Sequence, residues 1–274
     1  MFLEHSNLLL LDTNMLSPEK LVEHGLSGES TLVVASTSAQ EVLGMQRPDR
    51  EGGYRYALPM MNDRLLLRDN LAPDQFFRWA SDHAKHRSVS RHTDSLVVPG
   101  SRLRHESREL GHAAVAIAHE TGDDRLFRAY AARGLRTKQL RRVLSKWEFL
   151  RAELEAIIPL DDAIALQAVA LANAFVDSGQ HVKGTARNSM NDMYVAATSL
   201  ITGIPLVTAD AQLNDFYREH GWTVPSNDGL YIALPSAPSD AGSSDPASTQ
   251  RGDRYINRPL SLRSHVDQVP PPGR

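Results

Sequence analysis

The sequence predicts an α/β protein, a mainly parallel sheet flanked by helices on both faces and carrying a helical insertion. Three observations predict it. Short apolar runs at residues 8–11, 31–36 and 204–208 have the length of buried strands. Stretches with helical spacing of apolar residues lie between them, as the crossovers of a parallel sheet require. Two of the runs stop at or just before an aspartate, Asp12 and Asp210. The carboxyl end of a strand would deliver such a residue to the edge where ligands gather in open α/β sheets.

In chain order, Leu8 to Leu11 form the first strand and Asp12 ends it. Ser17 is placed to cap a helix with Pro18 at its first position, where the missing N–H costs nothing, and Glu19 suits the positive end of the helix dipole. The β-branched run Thr31 to Ser36 is the second strand, followed by a helix from about Thr37 that places Glu41 one turn inside. Residues 49–149 read as a mostly helical insertion, broken by Gly52, Gly53, Gly100 and several prolines. Helical periodicity resumes from Ile164 to Val176. A second apolar helix is opened by Asn191 and closed by Gly203, and Ile204 to Thr208 form a strand. Trp222 to Val224 and Leu230 to Leu234 supply further strands. Residues 1–48 and 150–234 thus make the core. Residues 235–274, rich in Ser, Pro, Asp, Gly and Ala, are expected to be a disordered tail.

Composition narrows the chemistry. The 274 residues contain no cysteine, which excludes disulfides, thiolate zinc sites and a cysteine nucleophile and agrees with a cytoplasmic setting. The N-terminus has neither a basic flank nor a long apolar run, so no signal peptide or membrane span is expected there. A net charge of −3 gives no global attraction to nucleic acid, so any basic surface is local.

Four acids stand out: Asp12, Glu41, Asp192 and Asp210. Singly each has an ordinary reading, Asp12 as a turn or capping residue, Glu41 as a solvated helix position, Asp192 as a helix-dipole partner and Asp210 as a turn former. Their element order, however, brings all four to one edge of the sheet. Two like charges about 4 Å apart repel by about 4 kcal/mol at an effective dielectric near 20. A hard divalent cation such as Mg2+ or Mn2+, which accepts oxygen ligands and keeps several waters, relieves that repulsion. Such an ion supports phosphodiester hydrolysis without a protein nucleophile.

The segments LLLLDTN, STSAQE, NDMYVAATSLITGIPLVTAD and the following NDF resemble the PIN domain, and in particular the VapC-like toxins of toxin–antitoxin pairs. The resemblance covers about residues 1–48 and 155–225, and the third segment is its most specific part. It implies a PIN-like fold, a Mg2+- or Mn2+-dependent endoribonuclease and RNA as substrate. It further implies a homodimer and an antitoxin protein as partners. By the same resemblance Asp12, Glu41, Asp192 and Asp210 are the metal-binding catalytic acids, and Asn14 and Thr208 match polar positions that orient water at the ion. Asp215 is either an additional outer acid or a helix-capping residue. The interval between Glu41 and Asp192 is longer than in the compact toxins, which is a departure from the family pattern.

Within that interval nine basic residues fall between Arg125 and Arg151 against the single acid Glu148. Arg136, Lys138, Arg141 and Arg142, with Arg187 in the loop before Asp192, are the candidate RNA-binding residues. A solvated basic helix face is the alternative. Phe127, Tyr130 and Trp147 are either core or base-stacking residues. His83 and His86 make a weak zinc candidate, while His112 and His119 flank an apolar stripe. A catalytically silent RNA-binding scaffold is the competing reading of the whole chain. A haloacid dehalogenase-like phosphatase needs an Asp where Asn14 stands.

Overall fold

In the computed structural model, residues 8–26, 30–45, 95–180, 186–224, 226–227 and 229–235 are described. The expected tail beyond Pro235, the segment 46–94 with His83 and His86, and the loop 181–185 lie outside the described residues.

The central sheet contains β1 (Leu8–Leu11), β2 (Thr31–Ala35), β5 (Ala156–Ile158), β6 (Leu206–Thr208), β7 (Ser226–Asn227) and β8 (Leu230–Ala233). Their order is β5-β2-β1-β6-β8-β7. The first four are parallel, with Leu11 opposite Val34 on one side and Val207 on the other, and β8 returns antiparallel to β6. Strand residues alternate between two cores. Leu9, Leu11, Leu32, Val34, Ile157 and Val207 face one, whereas Leu8, Leu10, Val33, Ala35, Ala156 and Leu206 face the other. Both faces are covered, which explains why these strands read as continuous apolar runs and not as alternating ones.

The first core is closed by α1 (Pro18–Glu23), α2 (Ser36–Leu43), α3 (His112–Thr121), α4 (Arg125–Gly134) and α5 (Thr137–Glu153). Against the second pack α6 (Asp162–Asp177), α7 (Ala186–Thr202) and α8 (Ala211–Glu219). Ser17 caps α1 through Lys20 N, with Pro18 at the first position, as its sequence requires. Gly203 adopts φ 69° after α7, the left-handed conformation that ends a helix cheaply only for glycine.

The structure departs from the sequence reading in several places. The inserted stretch, read as mostly helical, has one element that the sequence reading did not place. It contains an antiparallel hairpin of β3 (Ser95–Val98) and β4 (Ser107–Leu110). Its helices α3 to α5 pack on the sheet, with Val115, Phe127 and Trp147 in the same buried cluster as Leu11 and Val34. Phe127 and Trp147 are core residues, with ring centroids 4.7 Å apart, and the Trp147 indole N–H donates to Asp124 Oδ2 at 2.7 Å. Burial of both rings leaves neither face for a base. Strand β5 is too short and too close to the α6 cap, Asp161, to stand out as a run. Trp222 to Val224 contributes only an isolated bridge between Thr223 and Leu234. β6 starts at Leu206, after Pro205, whose nitrogen has no hydrogen to donate to a ladder.

Among the described residues no helix is long and apolar enough to cross a membrane.

Candidate active site

The candidate site lies where β1 and β6 end side by side. Asp12 N donates to Val207 O at 3.0 Å, which ties the first residue after β1 to the neighbouring strand. Asp12 is 5% exposed and its carboxylate is held from three directions. Thr13 N donates to Oδ1 at 2.7 Å, while Thr208 Oγ1 and Asn14 Nδ2 donate to Oδ2 at 2.7 and 2.8 Å. Asn14 is fixed in turn, since its Oδ1 accepts from Ala209 N at 3.2 Å. The two polar residues singled out in the sequence are therefore direct supports of Asp12.

Glu41 lies in the last turn of α2, and its Oε2 accepts from Thr13 Oγ1 at 2.9 Å. Thr13 thus joins two acids, one through its N–H and the other through its hydroxyl. Asp210 is the N-cap of α8, with Oδ1 accepting from Gln212 N and Leu213 N at 2.8 and 3.2 Å. Its local role is helix capping and not the turn its sequence suggested, combined with a place at the cavity. Asn191 does not open α7 as the sequence suggested, because the helix begins at Ala186. Asp192 consequently sits beyond the first turn, where the helix dipole no longer accounts for an acid.

Asp12, Glu41, Asp192 and Asp210 all line one cavity of about 300 Å³, together with Asn188 and Ser189 of α7. At about 30 Å³ per water, that volume admits a cation with a full hydration shell. Among the described residues no three His, Asp or Glu side chains stand close enough together to ligate one ion directly. A hydrated Mg2+ needs only one or two direct carboxylates, so the donor set fits it chemically even at this spacing. Burial pushes the Asp12 carboxyl up to about 6 against the hydrogen bonds of Thr208 and Thr13, and the charges of Glu41 and Asp210 add to the rise. Like charges therefore reach one another across the cavity.

Asp215 does not cap α8, whose N-cap is Asp210. Asp215 itself is exposed in the middle of α8, away from the cavity lining. Arg187 is paired with buried Glu109 of β4, Nη2 to Oε2 at 3.0 Å, and Arg104 binds the other Glu109 oxygen at 2.8 Å. Burial alone would raise the Glu109 carboxyl, but His112, Arg187 and Arg104 outweigh it and hold it down at about 2. The next residue, Leu110, accepts from Gln40 Nε2 of α2 at 2.9 Å. One strand of the hairpin thereby grips α7 and α2, the helices that carry Asp192 and Glu41. His112 Nδ1 and Ser36 Oγ are 2.8 Å apart, and Ser36 Oγ also accepts from Leu160 N at 3.0 Å. This network gave no local signal in the sequence, because its members are joined only by folding.

Of the basic residues, Arg125 pairs with Asp123, Arg128 with Asp124, and Lys146 Nζ donates to Val42 O. Arg136, Lys138, Arg141 and Arg142 are exposed along α5 and pair with no described acid.

Compared with known proteins, the chain matches no family model, and no curated protein or solved structure matches it significantly.

Proposed function

We propose that this protein is a Mg2+- or Mn2+-dependent endoribonuclease with a PIN-like fold, and that Asp12, Glu41, Asp192 and Asp210 are its metal-binding and catalytic acids. One observation carries the reading: four carboxylates from four separate chain segments line a single cavity at the carboxyl edge of a parallel sheet. An assembly of that kind raises the electrostatic energy of the folded protein, and a divalent ion lowers it. Such an ion supplies Lewis-acid activation of a phosphodiester and a lowered pKa for an attacking water.

The chain's own residues prepare that chemistry. Thr208, Asn14 and the Thr13 amide hold Asp12 in one rotamer and keep its oxygens hydrogen-bonded while buried. Thr13 sets the position of Glu41 relative to it. Capping fixes Asp210 through one oxygen. Asn188 and Ser189 offer neutral polar groups at the cavity wall. Exposed Arg136, Lys138, Arg141 and Arg142 on α5 provide phosphate contacts for an RNA strand, and Arg187 acts through its pair with Glu109 to hold α7.

The test is cleavage of labelled RNA pools by wild type and Asp192→Asn under Mg2+, Mn2+ and EDTA. Cleavage that needs the ion and the acid supports the reading. Cleavage by the variant in EDTA overturns it. Salt-dependent RNA binding without turnover in any condition selects the silent scaffold instead.

A further inference from the structure

Holding an ion does not account for every group that lines the acid cavity. Ser189 closes the first turn of α7, three residues before Asp192, and lines the cavity although it is only 3% exposed. That spacing puts the two side chains on one face of the helix, about 5 to 6 Å apart at Cβ. The other serine and threonine hydroxyls of α7 are satisfied inside the protein: Thr198 donates to Tyr194 O, Ser199 to Ile204 O and Thr202 to Thr198 O. The Ser189 hydroxyl has no such partner among the described residues. A buried polar group without a bond is costly, so this one is left for whatever enters the cavity. The helix itself points the same way. Asn188 and Ser189 both line the cavity, which brings the positive end of a 17-residue helix to the acids. No acid in that first turn offsets the dipole, and Arg187 is turned to Glu109.

We propose that Ser189 is a substrate-positioning residue, its hydroxyl donating to a non-bridging oxygen of an RNA phosphodiester that enters the cavity beside a divalent cation. This deepens the metal reading of the site and rests on it. Four carboxylates alone repel a phosphate, so the contact forms only with the ion in place. A phosphodiester that faces the ion through one oxygen keeps a second oxygen for a donor on the protein, and Ser189 supplies that donor. The cavity has the room. At about 30 Å³ per water, its volume of about 300 Å³ holds an octahedral ion with its ligands, about six water volumes, and leaves space for a group of phosphate size. A hydroxyl suits the position, because it donates to an anion without a charge that would compete with the ion for the acids. The positive end of α7 favours an anion there in the same sense.

The experiment is calorimetric titration of the full chain, with Mn2+ alone and, once saturated with Mg2+, with inorganic phosphate, beside thermal unfolding in EDTA, for wild type, Ser189→Ala and Ser189→Thr. Ser189→Ala is expected to bind phosphate about tenfold more weakly, the equivalent of about 1.4 kcal/mol. Its Mn2+ affinity should stay within about twofold of wild type, and its melting point should stay level or rise, since alanine is the better helix former. Ser189→Thr keeps the hydroxyl and should bind phosphate within about threefold of wild type. Equal phosphate affinity for wild type and Ser189→Ala overturns the inference alone, as does a wild type that binds Mn2+ and takes up no phosphate. So does a Ser189→Ala variant whose Mn2+ affinity or EDTA melting point falls along with its phosphate affinity, which would give the hydroxyl a structural role, or a Ser189→Thr variant as weak as Ser189→Ala. Wild type without measurable Mn2+ binding overturns the metal reading, and this inference with it.

Discussion

Replacing Asp12 by Asn should stabilise the ion-free protein while removing its response to divalent ions. The magnitude follows from the burial of the carboxylate. Its pKa rises from 3.8 in the unfolded chain to about 6 in the fold, so the folded state holds the proton more tightly. Stability therefore falls as pH rises from about 4 to about 6, and above that the charged group costs about 3 kcal/mol. Asparagine carries no charge and escapes that cost. It also places an N–H2 where Oδ2 accepts from Asn14 and Thr208. The Thr208 hydroxyl can turn to accept, but the Asn14 amide cannot, and one missing bond costs about 1 kcal/mol. The net gain at pH 7.5 is about 2 kcal/mol, or about 4 to 8 °C for a chain of this size. Scanning calorimetry in EDTA reads it directly. At pH 4 the advantage should vanish, and adding Mn2+ at pH 7.5 should raise the wild-type melting point more than the variant's. A variant less stable than wild type at pH 7.5 in EDTA, or one whose advantage is the same at both pH values, would refute the reasoning.

Other outcomes follow from the same geometry. Asp210→Asn keeps a side chain able to cap α8 and should hold its melting point while losing RNA cleavage. Asp210→Ala should lose both, with about 1 kcal/mol of stability gone in denaturant titration. Glu109→Gln leaves Arg187 and Arg104 short of their countercharge and should cost about 3 to 5 kcal/mol by urea unfolding. Because Glu109 titrates at about 2 in the fold, below its ordinary 4.5, its contribution is complete above pH 4.5 and lost as pH falls toward 2. An acid titration of wild type against the variant should show the difference closing over that window. Changing Arg136, Lys138, Arg141 and Arg142 together to Gln should flatten the salt dependence of RNA affinity by about 0.7 in log–log slope for each phosphate no longer neutralised, and an unchanged slope would return α5 to a solvated face.

Much of the site was legible because its signals are local. Asp12 and Asp210 end apolar runs, and those two strands pair in parallel although most of the chain lies between them. Asn14 and Thr208 were named only through the family resemblance, and both donate directly to the Asp12 carboxylate. What could not be read depends on pairings between distant segments. Glu109 looks like any surface acid until folding sets it between Arg187, Arg104 and His112. Arg187 looked like a phosphate ligand for the same reason. Trp147 and Phe127 sit in a basic run whose charges hide its buried stripe. The start of α7 was misplaced because Asn191 is a good cap by type, whereas the helix continues upstream to Ala186 and is tied there to the hairpin through Arg187.

Diffraction from crystals soaked in Mn2+, with the anomalous signal of the metal recorded, tests the central claim most directly. A peak inside the cavity within about 2.1 Å of an oxygen of at least one of Asp12, Glu41, Asp192 and Asp210, and absent from Asp12→Asn crystals, is the predicted result. A cavity without a metal peak in well-occupied wild-type crystals, or a peak bound elsewhere on the chain, would contradict it.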